Sequence, residues 1–138
     1  MNKFLINDNL IINSGGEFIL FYLDNQSEVK YTKYALSNKA IETSILHKNN
    51  ILRYAVAIDE NDNIHLIALT KLGELNYSIY KDNSWSNAII AKFDFKSNTY
   101  NNIDILLAGK NVNIIYNYAN LINLDLCQYF GQKFKFFW

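Results

Sequence analysis

An all-β fold of three four-stranded antiparallel units is the class this sequence predicts, and three observations predict it. The first is internal repetition. Sliding the chain by 46 residues places Leu20 on Leu66, Leu23 on Leu69, Glu28 on Glu74, Tyr31 on Tyr77 and Tyr34 on Tyr80. A slide of 48 places Ile64 on Val112, Leu66 on Ile114 and Ile67 on Ile115, and one further residue places Leu75 on Leu124 and Tyr80 on Tyr129. The second is a series of short apolar runs separated by turn-forming connectors such as DEND, KLG and KDNS. The third is that the inner runs are apolar on both faces: in NIHLIALT, Ile64, Leu66 and Ala68 share one face, and Ile67 and Leu69 the other. FILFYL and VNIIYNY read the same way. A sandwich strand with one wet face would alternate apolar with polar. Four antiparallel strands per roughly 40–50 residues, repeated, make the blade of a β-propeller, whose middle strands are covered on both sides by neighbouring blades. A sandwich or barrel of about 12 short strands is the competing architecture.

The units run approximately over residues 1–48, 49–98 and 99–138. In the first, strands are expected near Leu10–Asn13, Glu17–Leu23, Glu28–Tyr34 and Ile41–Leu46, although Ser37–Leu46 is the one stretch that could be helical instead. In the second they are expected at Leu52–Ile58, Asn63–Thr70, Glu74–Lys81 and Trp85–Lys92. In the third they are expected near Asn102–Ala108, Val112–Tyr118, Leu121–Tyr129 and Lys133–Trp138. The absence of proline suits a chain that is nearly all strand ladder.

Composition narrows the function classes. The 138 residues suffice for one domain with a real core, and 50% are hydrophobic, which argues against disorder. Thirteen cations balance thirteen anions, so no electrostatic footprint for nucleic acid or an anionic membrane is expected. Arg53 is the only arginine, which limits bidentate recognition of phosphates and carboxylates. Cys127 stands alone, so no intramolecular disulfide is expected, and its place over Ser78 reads as a small core position. The N-terminal run is interrupted by Asp8 and several Asn and reads as a strand. No apolar run reaches the roughly 20 residues that span a bilayer. A cytoplasmic location and a bacterial origin are the expectations.

The candidate chemistry is sparse. Asp59, Glu60 and Asp62 resemble the start of a calcium loop. The glycine needed at its sixth position is Ile64, however, and the glutamate needed at its twelfth is Thr70. A polar hairpin turn is the better reading. His65, on an inner strand, lacks a visible nucleophile and orienter and reads as a packed, hydrogen-bonded histidine. His47 reads as a lone loop residue in HKNN, short of the ligands that zinc requires. No metal or other cofactor is expected. Tyrosines recur: Tyr34, Tyr80 and Tyr129 once per unit, Tyr31 and Tyr77 in two. Their rings either fill space between units or, together with Trp85, Glu28 and Glu74, stack on and hydrogen-bond a saccharide, with repetition making such binding multivalent.

The pieces AIDENDNIHLIALT and LNYSIYKDNSWSNAII resemble the sialidase-like propeller repeat, in the broad sense that includes lectin-like propellers. Asp59, Asn63, His65, Tyr77, Tyr80, Trp85 and Ser86 follow that repeat's order. The stricter box Ser-x-Asp-x-Gly-x-Thr-Trp is absent. The arginine cluster that a sialidase needs cannot be built from one arginine, so the resemblance carries the repeat type and not the active site.

Three blades do not close a propeller of about four to eight. Two copies about a twofold axis would make six. The sequence therefore predicts a homodimer closing one six-bladed ring, a non-enzymatic module that binds carbohydrate through Trp85, Tyr80, Tyr77, Glu74, Tyr34, Tyr31, Glu28 and Tyr129. A protein–protein interaction scaffold is the alternative, and a glycan-processing enzyme of similar architecture the third reading. A fragment of a longer propeller would also account for three blades.

Overall fold

The computed structural model describes residues 8–37, 39–48, 50–93, 100–118, 124–130 and 133–137, with side chains over 8–37, 39–48, 50–93 and 103–115. The chain is all-β in its described part. Sheet 1 contains β1 (Asn9–Ile12), β2 (Phe18–Leu23), β3 (Val29–Tyr34) and β4 (Ala40–His47). Sheet 2 contains β5 (Ile51–Ile58), β6 (Ile64–Thr70), β7 (Glu74–Lys81) and β8 (Ser84–Lys92). Sheet 3 contains β9 (Tyr100–Ala108), β10 (Asn111–Tyr118), β11 (Leu124–Phe130) and β12 (Lys133–Phe137). Each sheet is an open antiparallel meander in which every strand pairs with its sequence neighbour. Ser37–Leu46 is therefore not helical where described. Thr32, Lys33 and Tyr34 of β3 pair with Thr43, Glu42 and Ala40 of β4, so the ladder to β3 supplies the order that the segment's own pattern leaves open. The expected residues Leu121 and Trp138 lie outside the described ones.

Four hairpin turns share one device. In Asn13–Glu17, Asp24–Glu28, Asp59–Asn63 and Thr70–Glu74, the side-chain oxygen of the first residue accepts the backbone N–H of the fifth at 2.9, 3.0, 2.9 and 3.0 Å. The first residue's carbonyl accepts the N–H of the fourth at 3.0–3.1 Å. That fourth residue is left-handed: Gly16, Ser27, Asp62 and Gly73 have φ of 78°, 60°, 61° and 86°. This is a type I turn closed by an αL residue, and Asn, Asp, Thr and Gly are the residues that stabilise it. Asn13 and Asp59 stand 46 apart in the sequence, as do Asp24 and Thr70. The 46-residue repeat is thus a repeat of backbone geometry. A tighter two-residue turn joins β7 to β8, with Asp82 and Asn83 at φ 52° and 61°.

The sheets stack face to face. The first core cluster joins Ile11, Ile19, Phe21, Val29 and Tyr31 of sheet 1 to Tyr54, Ile64, Leu66 and Ala68 of sheet 2. The second joins Ala55, Ile67, Leu69, Leu75 and Tyr77 of sheet 2 to Ile103, Ile105, Val112 and Ile114 of sheet 3. Sheet 2 is the middle layer, so every residue of β6 is buried. β2 of sheet 1 is buried on one face only, with alternate residues half-exposed. The first strands lie together, β5 against both β1 and β9.

Equivalent turns also hold neighbouring sheets. The Ser14 backbone N–H donates to Asp62 Oδ1 at 2.8 Å, and its hydroxyl donates to the same carboxylate. Lys71 Nζ donates to Ser27 Oγ at 2.8 Å. The Ser27 carbonyl accepts the N–H of Ile51, where the chain enters sheet 2, and the Gly73 carbonyl, 46 residues on, accepts that of Phe93, where it leaves.

Candidate functional site

In an antiparallel strand, residues three apart lie on opposite faces. Tyr31 and Tyr34 therefore separate, as do Tyr77 and Tyr80. Tyr31 pairs with Phe21 and lies in the seam between sheets 1 and 2, where it is 5% exposed. Tyr80 pairs with Ile64 and Trp85 and reaches the same seam from sheet 2. The rings of Tyr80 and Trp85 are 5.2 Å apart, those of Tyr31 and Trp85 5.9 Å, and Phe21 meets Trp85 edge-on at 6.4 Å. Tyr80 and Trp85 are only half-buried.

Polar groups rim this cluster. Lys33 Nζ lies 4.7 Å from the centre of the Tyr80 ring and donates to Tyr80 Oη at 3.3 Å. It also stands 3.9 Å from Glu42, which accepts from Tyr31 Oη at 3.0 Å and Ser44 Oγ at 3.1 Å. The Trp85 indole N–H is buried without an acceptor among the described residues. The arrangement is a half-exposed aromatic platform beside one cation and one carboxylate.

The other sequence-predicted residues lie elsewhere. Tyr77 faces sheet 3, is 5% exposed, and is core. Glu28 is buried in its turn and pairs with Lys30, while Glu74 pairs with Lys92 at 3.0 Å. Tyr34, the counterpart of Tyr80, lies on the outer face of sheet 1 beside Phe18. Tyr129 pairs with Val112 in the β10–β11 ladder, and its side chain is outside the described ones. The structure therefore unites Tyr31, Tyr80 and Trp85 and separates the rest. Lys33 and Glu42 were not singled out by the sequence reading. Their signal is a cross-strand pair of opposite charge, visible only once β3 and β4 are in register.

Asp59 is a turn residue, as expected, and more. Its Oδ1 accepts the N–H groups of Asn61 and Asn63, both at 2.9 Å, and its Oδ2 accepts from Asn63 Nδ2 at 2.9 Å. His65 Nε2–H donates to that Oδ2 at 3.1 Å, which leaves Nδ1 to accept from Tyr77 Oη at 2.6 Å. Burial raises the Asp59 pKa, but the hydrogen bonds of Asn63, His65 and the two amides outweigh it and hold the carboxyl below its ordinary 3.8. His65 and Tyr77 are each 5% exposed, while the Asp59 end of this chain of bonds is partly open to solvent.

His47 is not a loop residue. It ends β4, is buried, and shares a 2.8 Å hydrogen bond with Ser78 Oγ. Burial pushes its pKa below the ordinary 6.5, so the neutral ring is the folded form. The unfolded chain then takes up a proton that the folded chain resists. The His47 contribution is fully present above pH 6.5 and is lost as pH falls from there through the lowered folded value. The melting temperature should fall as pH drops below about 6.5, and His47→Gln should flatten that slope; an unchanged slope would refute the assignment.

Among the described residues, no group of three or more His, Cys, Asp and Glu is placed to hold a metal ion. No helix among them is long and apolar enough to cross a membrane. No protein-family model matches the chain, and no curated protein matches it.

Proposed function

We propose that this chain is a non-enzymatic binding module whose sheets are β-propeller blades and whose ligand is a carbohydrate, held at the seam of sheets 1 and 2. The observation that carries the ligand class is the half-exposed Tyr80–Trp85 pair at 5.2 Å with Lys33 and Glu42 on its rim. Aromatic rings stack on the apolar face of a pyranose, and a carboxylate and an ammonium exchange hydrogen bonds with its hydroxyls. The buried indole N–H costs about 1–3 kcal/mol while unpaired, and a sugar oxygen drawn into the seam would relieve it. Support for the blade reading comes from three four-stranded meanders, stacked face to face, with turn geometry repeating at 46 residues. The resemblance to lectin-like propeller repeats runs the same way.

A glycan array is the test. Wild-type protein should retain at least one saccharide. Trp85→Ala should weaken that signal more than tenfold. Because Trp85 also packs on Phe21 and Tyr31, Lys33→Met serves as the second variant and should weaken binding several-fold at unchanged melting temperature. Silence of folded wild-type protein across the array would overturn the carbohydrate reading. It would favour a protein-interaction scaffold, the second reading, which the exposed apolar side chains of sheet 1 recommend.

A further inference from the structure

The outer face of sheet 1 is apolar along β1 and β2, and no other described sheet packs on it. Leu10 and Ile12 of β1 are 56% and 53% exposed. Leu20 and Phe18 of β2 pair with them in register, and Tyr34 pairs with Phe18. The same positions 46 residues on are Val56, Ile58, Leu66, Ile64 and Tyr80. In sheet 2 those residues form the face on which sheet 1 sits. The outer face of sheet 1 is thus a copy of a surface that already receives a sheet within this chain. Sheet 3 carries the other half of the match. Its inner face, Ile103, Ile105, Val112 and Ile114, is used by sheet 2, while the opposite face carries Leu106, 56% exposed, and Ile115, paired in register with Asn113 and Asp104. The described sheets therefore leave open a receiving face on sheet 1 and, on sheet 3, the face that stands where sheet 2 presents its own, as Asn113 and Ile115 stand 48 residues after His65 and Ile67.

We propose that a second copy of this chain lays the outer face of its sheet 3 on the outer face of sheet 1, and receives the first copy's sheet 3 in return. The proposal rests on the blade reading above. Blades close in rings of about four to eight, and six is the only multiple of three in that range. Two copies of the three described sheets supply six, and a twofold axis generates both new seams. The occupant continues an interface pattern already present twice, at the seams of sheets 1 and 2 and of sheets 2 and 3.

Light scattering on the purified chain at micromolar concentration should give twice 16.1 kDa. Leu10→Asp and Leu106→Asp alter exposed positions, so each variant should keep the wild-type far-ultraviolet spectrum and halve the mass. Mixing the two variants should restore a dimer, because one of its seams then carries neither substitution. Monomeric wild-type protein overturns the proposal. A dimer indifferent to Leu106→Asp shows sheet 1 meeting sheet 1 and overturns it as well, as does a trimer or an open polymer. The glycan array reports separately on the ligand. A ring that binds no sugar removes the carbohydrate reading and leaves the assembly, and a sugar-binding monomer does the reverse.

Discussion

Phe21→Ala should cost about 3–5 kcal/mol of folding stability, a fall in melting temperature of roughly 10–20 °C. Phe21 is fully buried, with its ring 5.6 Å from Tyr31 and edge-on to Trp85 at 6.4 Å. Its backbone carbonyl accepts from Tyr54 Oη at 2.9 Å, a bond that alanine retains, so the loss isolates the ring. Burial pushes the Tyr54 hydroxyl up to about 12, so that donor persists at every pH used for denaturation. Removing the ring leaves a hole walled by rigid aromatic side chains on two different sheets, and such a site collapses poorly. Phe21→Leu, which refills most of the volume, should cost about 1–2 kcal/mol. Urea titration of the three proteins would measure both. A loss under about 1 kcal/mol for the alanine variant would show that sheets 1 and 2 do not depend on this seam.

Asp59→Ala should cost roughly 2–4 kcal/mol. The change strips the turn of two backbone acceptor contacts and leaves the His65 N–H buried with no partner from that carboxylate. Asp59→Asn keeps a carbonyl oxygen for the turn and should cost about 1 kcal/mol. Tyr77→Phe removes the far end of the same chain of bonds. Combined with Asp59→Ala it should cost less than the sum of the two, since both act through His65. Strict additivity would show that the three groups are independent. The pH dependence has a definite sign. The folded pKa of Asp59 lies below its ordinary 3.8, so its contribution is present above about pH 4 and is lost as pH falls through the folded value. Asp59→Asn should remove that acid-side slope.

The turns were the most legible part of the sequence, because their chemistry is local. DEND, KLG and KDNS each carry the Asp, Asn or Gly that a left-handed residue or a side-chain acceptor requires, and strand limits follow from them. The burial of β6 on both faces was also legible, from a run with no polar face. β4 was legible as a strand at Ile41–Leu46 only beside a helical alternative, because AIETSILH is an edge strand with bulges at both ends of its ladder and mostly exposed residues. It takes its form from β3 and has little pattern of its own. The candidate site was legible only in parity. Spacing shows that Tyr31 and Tyr34 face opposite ways, but not which of them meets a neighbouring sheet. The bond between His47 and Ser78, 31 residues apart, and the approach of Lys33 to Tyr80, 47 apart, exist only through stacking. No local pattern records them.

Every ladder among the described residues joins a strand to the one made just before or after it. On a ribosome, each meander therefore has all of its hydrogen-bonding partners as soon as its own stretch of about 40 residues has emerged, with only short loops to close. Backbone pairing need not await later strands, but covering each apolar face must await the next meander. For the time needed to synthesise one further meander, the newest sheet presents an uncovered face of the kind nascent-chain chaperones bind. Among the described residues, none covers the outer side of the first sheet, where Leu10 and Ile12 stay more than half exposed.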